Sequence, residues 1–299
     1  MGCGAEPHVR ELRNIVARYA LLCDVEKCTG CYACFLACKD EHVGNDHGSY
    51  AAPASEGQKW IDVKEIEYGT GDKVKVDYIP VMCQHCSAPA CAKDAPEGAV
   101  YTRQDGIVLI DPQKAKGAKI IVDNCPYGAV YWNDELELPQ KCTLCAHMLD
   151  SGAGTTRCVE CCPTGALVIG DIDNPESDVS KLSARLGGCL ESYKPMFGTH
   201  PQVKYCALPK PFIAGELAFS DRIDEPASGI HIKLISMNFG KTRETVTDAF
   251  GDFIFKRLQS GGEYTLRINT PGYLKVENRI RLNAAQNLGT IMLSKVIED

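Results

Sequence analysis

The chain lacks any apolar run near the roughly 18 residues that a membrane-spanning helix needs, any cluster of lysine and arginine, and any cysteine beyond Cys206. The first absence argues against a helical membrane span. The second removes the electrostatic footing for nucleic acid or an anionic membrane surface as a partner. Near the start, Glu6, Arg10, Glu11, Arg13 and Arg18 interrupt every apolar stretch and no twin arginine is present. A secretory signal is therefore not expected, and a cytoplasmic location follows unless a signal-bearing partner carries the chain out. Gly2 does not mark a myristoylation site, because Glu6 stands where that signal needs a hydroxyl. Aromatic residues are few, at 7%, yet 44% of the 299 residues are hydrophobic, enough for a sizeable core.

What the chain does have is cysteine: 17 of them, an odd number in a length far beyond the small disulfide-stapled domains. Charge divides where the thiols end. Residues 211–299 carry 11 basic and 11 acidic side chains, so the net charge of −7 belongs wholly to residues 1–210. An acidic, thiol-rich part precedes a neutral, thiol-free part.

Cys28, Cys31, Cys34 and Cys38 form C-x2-C-x2-C-x3-C, the spacing with which bacterial ferredoxins hold 4Fe-4S clusters. Three of the thiols serve one cluster, and the fourth, on the following helix, serves another. Such a motif needs a distant partner. Downstream stand Cys83-x2-Cys86-x4-Cys91, a lone Cys125, and Cys142-x2-Cys145-x12-Cys158-x3-Cys162. An internal repeat relates them: Cys-Pro-Tyr-Gly-Ala-Val-Tyr from 125, Cys-Pro-Thr-Gly-Ala-Leu-Val from 162, and Ala-Pro-Glu-Gly-Ala-Val-Tyr from 95. Ala95 thus occupies a fourth-cysteine position that has no thiol.

Four ferredoxin motifs, paired outer with outer and inner with inner, would hold four clusters. Removing one inner cluster deletes three cysteines from its own motif and only the fourth from the other. The second motif lacks only its fourth cysteine, at Ala95, and the third keeps only its last, Cys125. Twelve cysteines remain for three 4Fe-4S clusters: Cys28, Cys31 and Cys34 with Cys162; Cys142, Cys145 and Cys158 with Cys38; Cys83, Cys86 and Cys91 with Cys125. Cys161 contests the place of Cys162, which the C-x3-C-P spacing and the repeat favour.

Other chemistries fit less well. Zinc ribbons use two C-x2-C knuckles, and the first run has one thiol too many. Several cysteines are too tightly bunched to form disulfides with one another. Cys3, Cys23, Cys189 and Cys206 belong to no motif and read as buried or incidental thiols. His85 and His147, beside ligand cysteines, could tune a cluster through hydrogen bonds, or be ordinary loop residues. Tyr131 and Trp132 read as core. Asp171, Asp173, Glu176 and Asp178 lack the glycine of an EF-hand loop and suit turns and a helix cap.

Val9, Leu12, Val16 and Tyr19 have helical spacing, which predicts a short helix over 9–19 ahead of a strand at about 20–25. Val74–Ile79 alternates as a half-buried strand does, Gly106–Ile110 reads as a strand, and Pro112–Lys116 as a turn into a short helix. Gly198, Pro201, Pro209 and Pro211 suggest a linker. Beyond it, seven short alternating segments, 213–219, 230–236, 242–247, 252–255, 264–269, 279–282 and 288–293, indicate an antiparallel sandwich. The expected fold class is α+β: an N-terminal extension (1–20), a tandem ferredoxin-like 4Fe-4S domain (21–195), a linker (196–210) and a seven-stranded antiparallel β-sandwich (211–299). No catalytic constellation is evident in the sandwich, which reads as a docking or stabilising module.

The four-motif layout, with Gly-Ile-Val-Leu-Ile-Asp-Pro (106–112), Cys-Pro-Tyr-Gly-Ala-Val-Tyr-Trp-Asn (125–133) and Lys-Cys-Thr-Leu-Cys-Ala-His (141–147), resembles the iron-sulfur small subunits of molybdopterin oxidoreductases related to dimethyl sulfoxide reductase. Family members often hold four clusters; Ala95 and residues 115–124 depart from that pattern. Within the family the chain is most similar to the transhydroxylase branch, with three clusters and a C-terminal sandwich, and residues 210–293 resemble a prealbumin or carboxypeptidase-regulatory domain. The resemblance implies a large catalytic subunit that binds molybdenum through two pterin guanine dinucleotides and acts on polyhydroxylated aromatics. This chain would then be a non-catalytic electron wire or, alternatively, a mainly structural subunit with no net electron flow, or the wire of another molybdopterin reductase.

Overall fold

The computed structural model describes residues 17–297 apart from 49, 223 and 239. The helix expected over 9–19 falls outside the described residues except at its end, where Tyr19 opens the first strand; Cys3 also lies outside them. The described chain divides into two units, one of residues up to 64 with 78–208, the other of 65–77 with 209–299.

Through the first unit the chain runs β1 (Tyr19–Asp24), α1 (Ala33–His42), β2 (Ile61–Thr70), β3 (Lys73–Met82), β4 (Val100–Thr102), β5 (Val108–Ile110), α2 (Ile120–Asp123), β6 (Val130–Asn133), β7 (Leu138–Lys141), α3 (Ala146–Asp150), α4 (Arg157–Glu160), β8 (Leu167–Asp171), α5 (Asp178–Arg185) and β9 (Val203–Cys206). The element lengths reflect the ligand loops. Short helices and two-stranded ribbons, β4 with β5 and β6 with β7, alternate with cysteine turns. β1 lies at the centre of a sheet ordered β8-β1-β9. Its Leu21, Leu22 and Cys23 are buried on both faces, which is why the strand reads as a continuous apolar run. Leu21, Met82, Ile107, Leu109 and Tyr205 fill the main core; full burial of each such side chain contributes about 1.5–3 kcal/mol. The acidic run at 171–178 forms turns and a cap: Asp171 accepts from the backbone of Asp173 at 3.0 Å, and Ser177 Oγ caps α5 by accepting from Ser180 N–H at 3.2 Å.

Two expectations need correction. The stretch 196–210 is not merely a linker. It carries β9, parallel to β1, with Val203, Tyr205 and Cys206 buried; the alternating apolar positions outweigh the flanking prolines. The hydroxyl of the buried Tyr205 donates to the Pro80 carbonyl at 3.0 Å, tying β9 to β3.

The second unit contains β10 (Ile213–Phe219), β11 (His231–Ser236), β12 (Thr242–Val246), β13 (Asp252–Phe255), β14 (Gly262–Ile268), β15 (Val276–Leu282) and β16 (Gln286–Leu293). They form sheets ordered β13-β10-β16 and β12-β11-β14-β15. Alternation explains the pairing of faces: Ile232 and Leu234 of β11 and Leu266 and Ile268 of β14 are buried, whereas His231, Lys233 and Arg267 are exposed. The sandwich is not wholly antiparallel, the second correction: β16 runs parallel to β10, with a register irregularity between Ala214 and Glu216. The chain changes sheets between β15 and β16, so the last strand enters beside β10 in the same direction, and local alternation carries no record of direction. Residues 65–77, the tip of the β2–β3 hairpin, belong to this unit. There Tyr68 packs against Phe212, with ring centroids 5.8 Å apart, and Lys73 pairs with Asp252 at 2.5 Å.

Candidate iron-sulfur centres

The first cysteine loop depends on backbone that ordinary residues avoid. Gly30 and Tyr32 are left-handed, with φ of 68° and 58°, and so turn the chain from Cys28 and Cys31 into α1 within a few residues. α1 then carries Cys34 and Cys38 four residues apart, on one face of the helix. The later loops repeat this device with different residues. His85 is left-handed between Cys83 and Cys86, and Leu144 and Cys145 are left-handed at the start of α3. Backbone N–H groups in these turns point at sulfur: His85 to Cys83 at 3.5 Å, Ala129 to Cys125 at 3.4 Å and Leu144 to Cys142 at 3.4 Å. Such donors stabilise negative charge on sulfur.

All sixteen described cysteines are free thiols. Burial pushes the Cys38 thiol well up, and its thiol neighbours, in order of influence, are Cys142, Cys158, Cys145 and Cys34. Cys91 is pushed up to about 12 by burial, with Cys83, Cys125 and Cys86 around it. Cys28 is raised by burial and, among thiols, by Cys162 and Cys31. Each neighbourhood therefore joins loops far apart in sequence. Cys34 also feels Cys158 and Cys161, since α1 packs beside α4.

Cys161 and Cys162 differ in their surroundings. The Cys161 thiol donates to the Cys158 carbonyl at 3.5 Å, turned onto its own helix. Burial pushes Cys162 up, but the backbone N–H groups of Leu167, Ala166 and Thr164, with the Thr164 hydroxyl, more than offset it and hold this thiol below its ordinary value.

The donor set fits cubanes better than single ions. Four thiolates around one zinc ion stand about 3.8 Å apart. Among the described residues, the group of three ligand-type side chains whose atoms fall within 4.8 Å of one another contains no thiol: it is His42, His47 and His147. That group itself suits an ion poorly, because His47 and His147 stack at 3.7 Å with an interplanar angle of 17°, and parallel rings cannot aim in-plane lone pairs at one point. Its chemistry is a hydrogen-bond chain. His147 bonds to the Tyr50 hydroxyl through Nδ1 and to Glu41 through Nε2 at 2.8 Å, while His42 Nε2 lies 3.7 Å from Cys145 Sγ.

The surroundings of Ala95 are largely hydrocarbon. Ala95, Ala118, Val122 and Cys125 pack against a cluster of Cys91, Ala99, Ile110, Ala115, Ile121 and Val130. Ala99, Ala115 and Ile121 have no exposed surface.

Sequence reasoning marked His85 and His147 but missed His42, although it stands four residues after Cys38 on α1 and so shares its face. His85 is buried, and its Nδ1 accepts from Val108 N–H at 3.1 Å. Lys141 was also missed: it is 3% exposed, at the end of β7. Tyr131 and Trp132, on β6, are half-buried, and Cys23 and Cys206 are buried.

Repeated thiol loops on this scaffold define an iron-sulfur protein of the 4Fe-4S type. Comparison with known proteins agrees. Residues 74–172 match the 4Fe-4S dicluster domain family, a span that contains every cysteine loop except the first, and residues 220–292 match the carboxypeptidase regulatory-like domain family. The pyrogallol hydroxytransferase small subunit of Pelobacter acidigallici is 36% identical over 282 residues, 92% of this chain and 99% of that one. A tetrathionate reductase subunit of Salmonella typhimurium is 32% identical, covering 66% of this chain and 75% of that one. The arsenate respiratory reductase iron-sulfur subunit of Shewanella is 31% identical, covering 63% and 95%. The chain belongs to the family of iron-sulfur small subunits of molybdopterin oxidoreductases related to dimethyl sulfoxide reductase, and is an electron-transfer subunit of that kind. Among the described residues no helix is long and apolar enough to cross a membrane.

Proposed function

We propose that this chain carries three 4Fe-4S clusters, held by Cys28, Cys31, Cys34 and Cys162, by Cys38, Cys142, Cys145 and Cys158, and by Cys83, Cys86, Cys91 and Cys125. It relays single electrons to or from a catalytic large subunit that binds molybdenum through two pterin guanine dinucleotides. The observation that carries the reading is the company of Cys38: the fourth cysteine of the first motif lies among those of the last, as crossed ferredoxin pairs require. When bound, the clusters supply reversible one-electron storage. The chain's part is to hold thiolates on rigid loops, point N–H donors at sulfur and exclude water. The apolar filling around Ala95 and Ile121 supports three clusters rather than four.

The similarity to a pyrogallol hydroxytransferase small subunit over 99% of its length supports a polyhydroxylated aromatic as the large subunit's substrate; we place the complex in the cytoplasm, with no nucleic-acid partner. The same name favours a second reading, since a hydroxyl transfer between aromatics needs no net electron flow and the chain would then mainly stabilise its partner. Rapid mixing of the purified complex with a trihydroxybenzene separates the two. Cluster reduction or reoxidation at the turnover rate supports the relay, and clusters that stay silent throughout turnover support the structural role.

A further inference from the structure

Lys141 ends β7 directly before Cys142 and is 3% exposed. Its ammonium donates to the carbonyls of Val108 on β5 and Cys142, at 2.5 and 3.2 Å. Among the described residues no carboxylate oxygen lies within 4.0 Å of it. A buried ammonium held by two neutral carbonyls is a costly arrangement unless a negative charge stands nearby. The negative groups available are sulfurs. Through Val108, which also bonds to His85 between Cys83 and Cys86, it adjoins the loop of one proposed cluster, and it is bonded in sequence to Cys142 of another. It therefore stands between the loops of two proposed clusters. The neighbouring His85 is buried in the loop between Cys83 and Cys86. Val108 joins the two side chains, giving its N–H to His85 and its carbonyl to Lys141.

We infer that Lys141 is a shared countercharge for the clusters of Cys83, Cys86, Cys91 and Cys125 and of Cys38, Cys142, Cys145 and Cys158, and that it raises the reduction potential of both. This rests on the cluster assignment above. A cubane with four thiolates is anionic and gains one further negative charge on reduction. A fixed cation in a dry site stabilises the more negative state, and net local charge is among the factors that set cluster potentials. The lysine thus acts through its charge as a positioning residue for electrons. A mere strut between β5 and the Cys142 loop would need only its hydrogen bonds.

Lys141→Gln keeps donors without charge, Lys141→Met keeps length without either, and Lys141→Arg keeps charge. Each is made in the full complex, and iron content and the number of reducible clusters are measured first, because about twelve iron in the parent tests the assignment independently of the lysine. Potentiometric titration followed by electron paramagnetic resonance then reads the potentials. The cluster lost in Cys162→Ser identifies the internal control. In the Gln and Met variants the two adjacent clusters become at least about tenfold harder to reduce, about 59 mV for a one-electron couple, while the control cluster moves less and Lys141→Arg stays near the parent. Neutral variants with full iron and unmoved potentials, or with all three potentials shifted equally, overturn the inference. If neutral variants lose iron, retention by the Arg variant upholds the need for charge, and loss in the Arg variant as well overturns it.

Discussion

Gly30 lies against the ring of Tyr78: an ideal Cβ at the glycine would come 2.5 Å from Tyr78 Cδ1. The contact ties the first cysteine loop to the root of β3, two segments that share no hydrophobic periodicity. With φ at 68° the position is both left-handed and crowded, so a side chain meets two penalties at once. Gly30→Ala is expected to cost about 1–3 kcal/mol of local stability and to lower iron content by up to about four per chain. Iron analysis and thermal unfolding of the complex check this; a variant with parental iron and unchanged Tm contradicts it.

Cys125→Ser removes one ligand from one proposed cluster. The expected result is a complex that keeps the other two, with about eight iron per chain. The pair Cys161→Ser and Cys162→Ser separates the contested position: the first keeps its iron and the second loses one cluster, read from iron and sulfide analysis.

Ala95→Cys restores the missing thiol but not the missing space or partners. Ile121 and Ala115 fill that region without exposed surface, so iron content stays at about twelve. Ile121→Ala leaves a cavity and costs about 2–5 kcal/mol without changing the number of clusters. Differential scanning calorimetry with iron analysis tests both.

Arg103 grips Asp150 with two nitrogens, at 2.9 and 2.5 Å, and Asp105 at 2.9 Å. Its hydrogen bond holds the Asp150 carboxyl below the usual range, so the stabilisation is full above the ordinary carboxylate value near 3.9 and fades only as pH falls through the lower folded value. Arg103→Met is expected to lose about 1 kcal/mol, discounted because Asp150 is partly exposed. The deficit in Tm stays constant from about pH 8 to pH 5; one that shrinks within that window contradicts the assignment.

The cysteine loops were legible because thiol spacing is a local property, and the repeat at 95, 125 and 162 marked Ala95 as the position without a thiol. The sandwich strands were legible because Ile232, Leu234, Leu266 and Leu282 alternate with polar neighbours. The hairpin of β2 and β3 was only half seen. Its two-residue Gly71–Asp72 turn is a hairpin signal, but Lys64–Glu67 breaks the alternation on the first arm because one end of each strand belongs to a different unit. The parallel pairing of β16 with β10 depends on the path between sheets, which local pattern does not encode. His42 and Lys141 were missed for a related reason. Each is an ordinary polar residue in sequence, and only burial beside sulfur or between ligand loops gives it a role.

The most direct measurement of the central claim is the iron and acid-labile sulfide content of the chain purified anaerobically with its large subunit. Three cubanes on this chain give about twelve of each beyond what the large subunit holds on its own. Values near sixteen or near eight would contradict the pairing of ligands and the meaning given to Ala95.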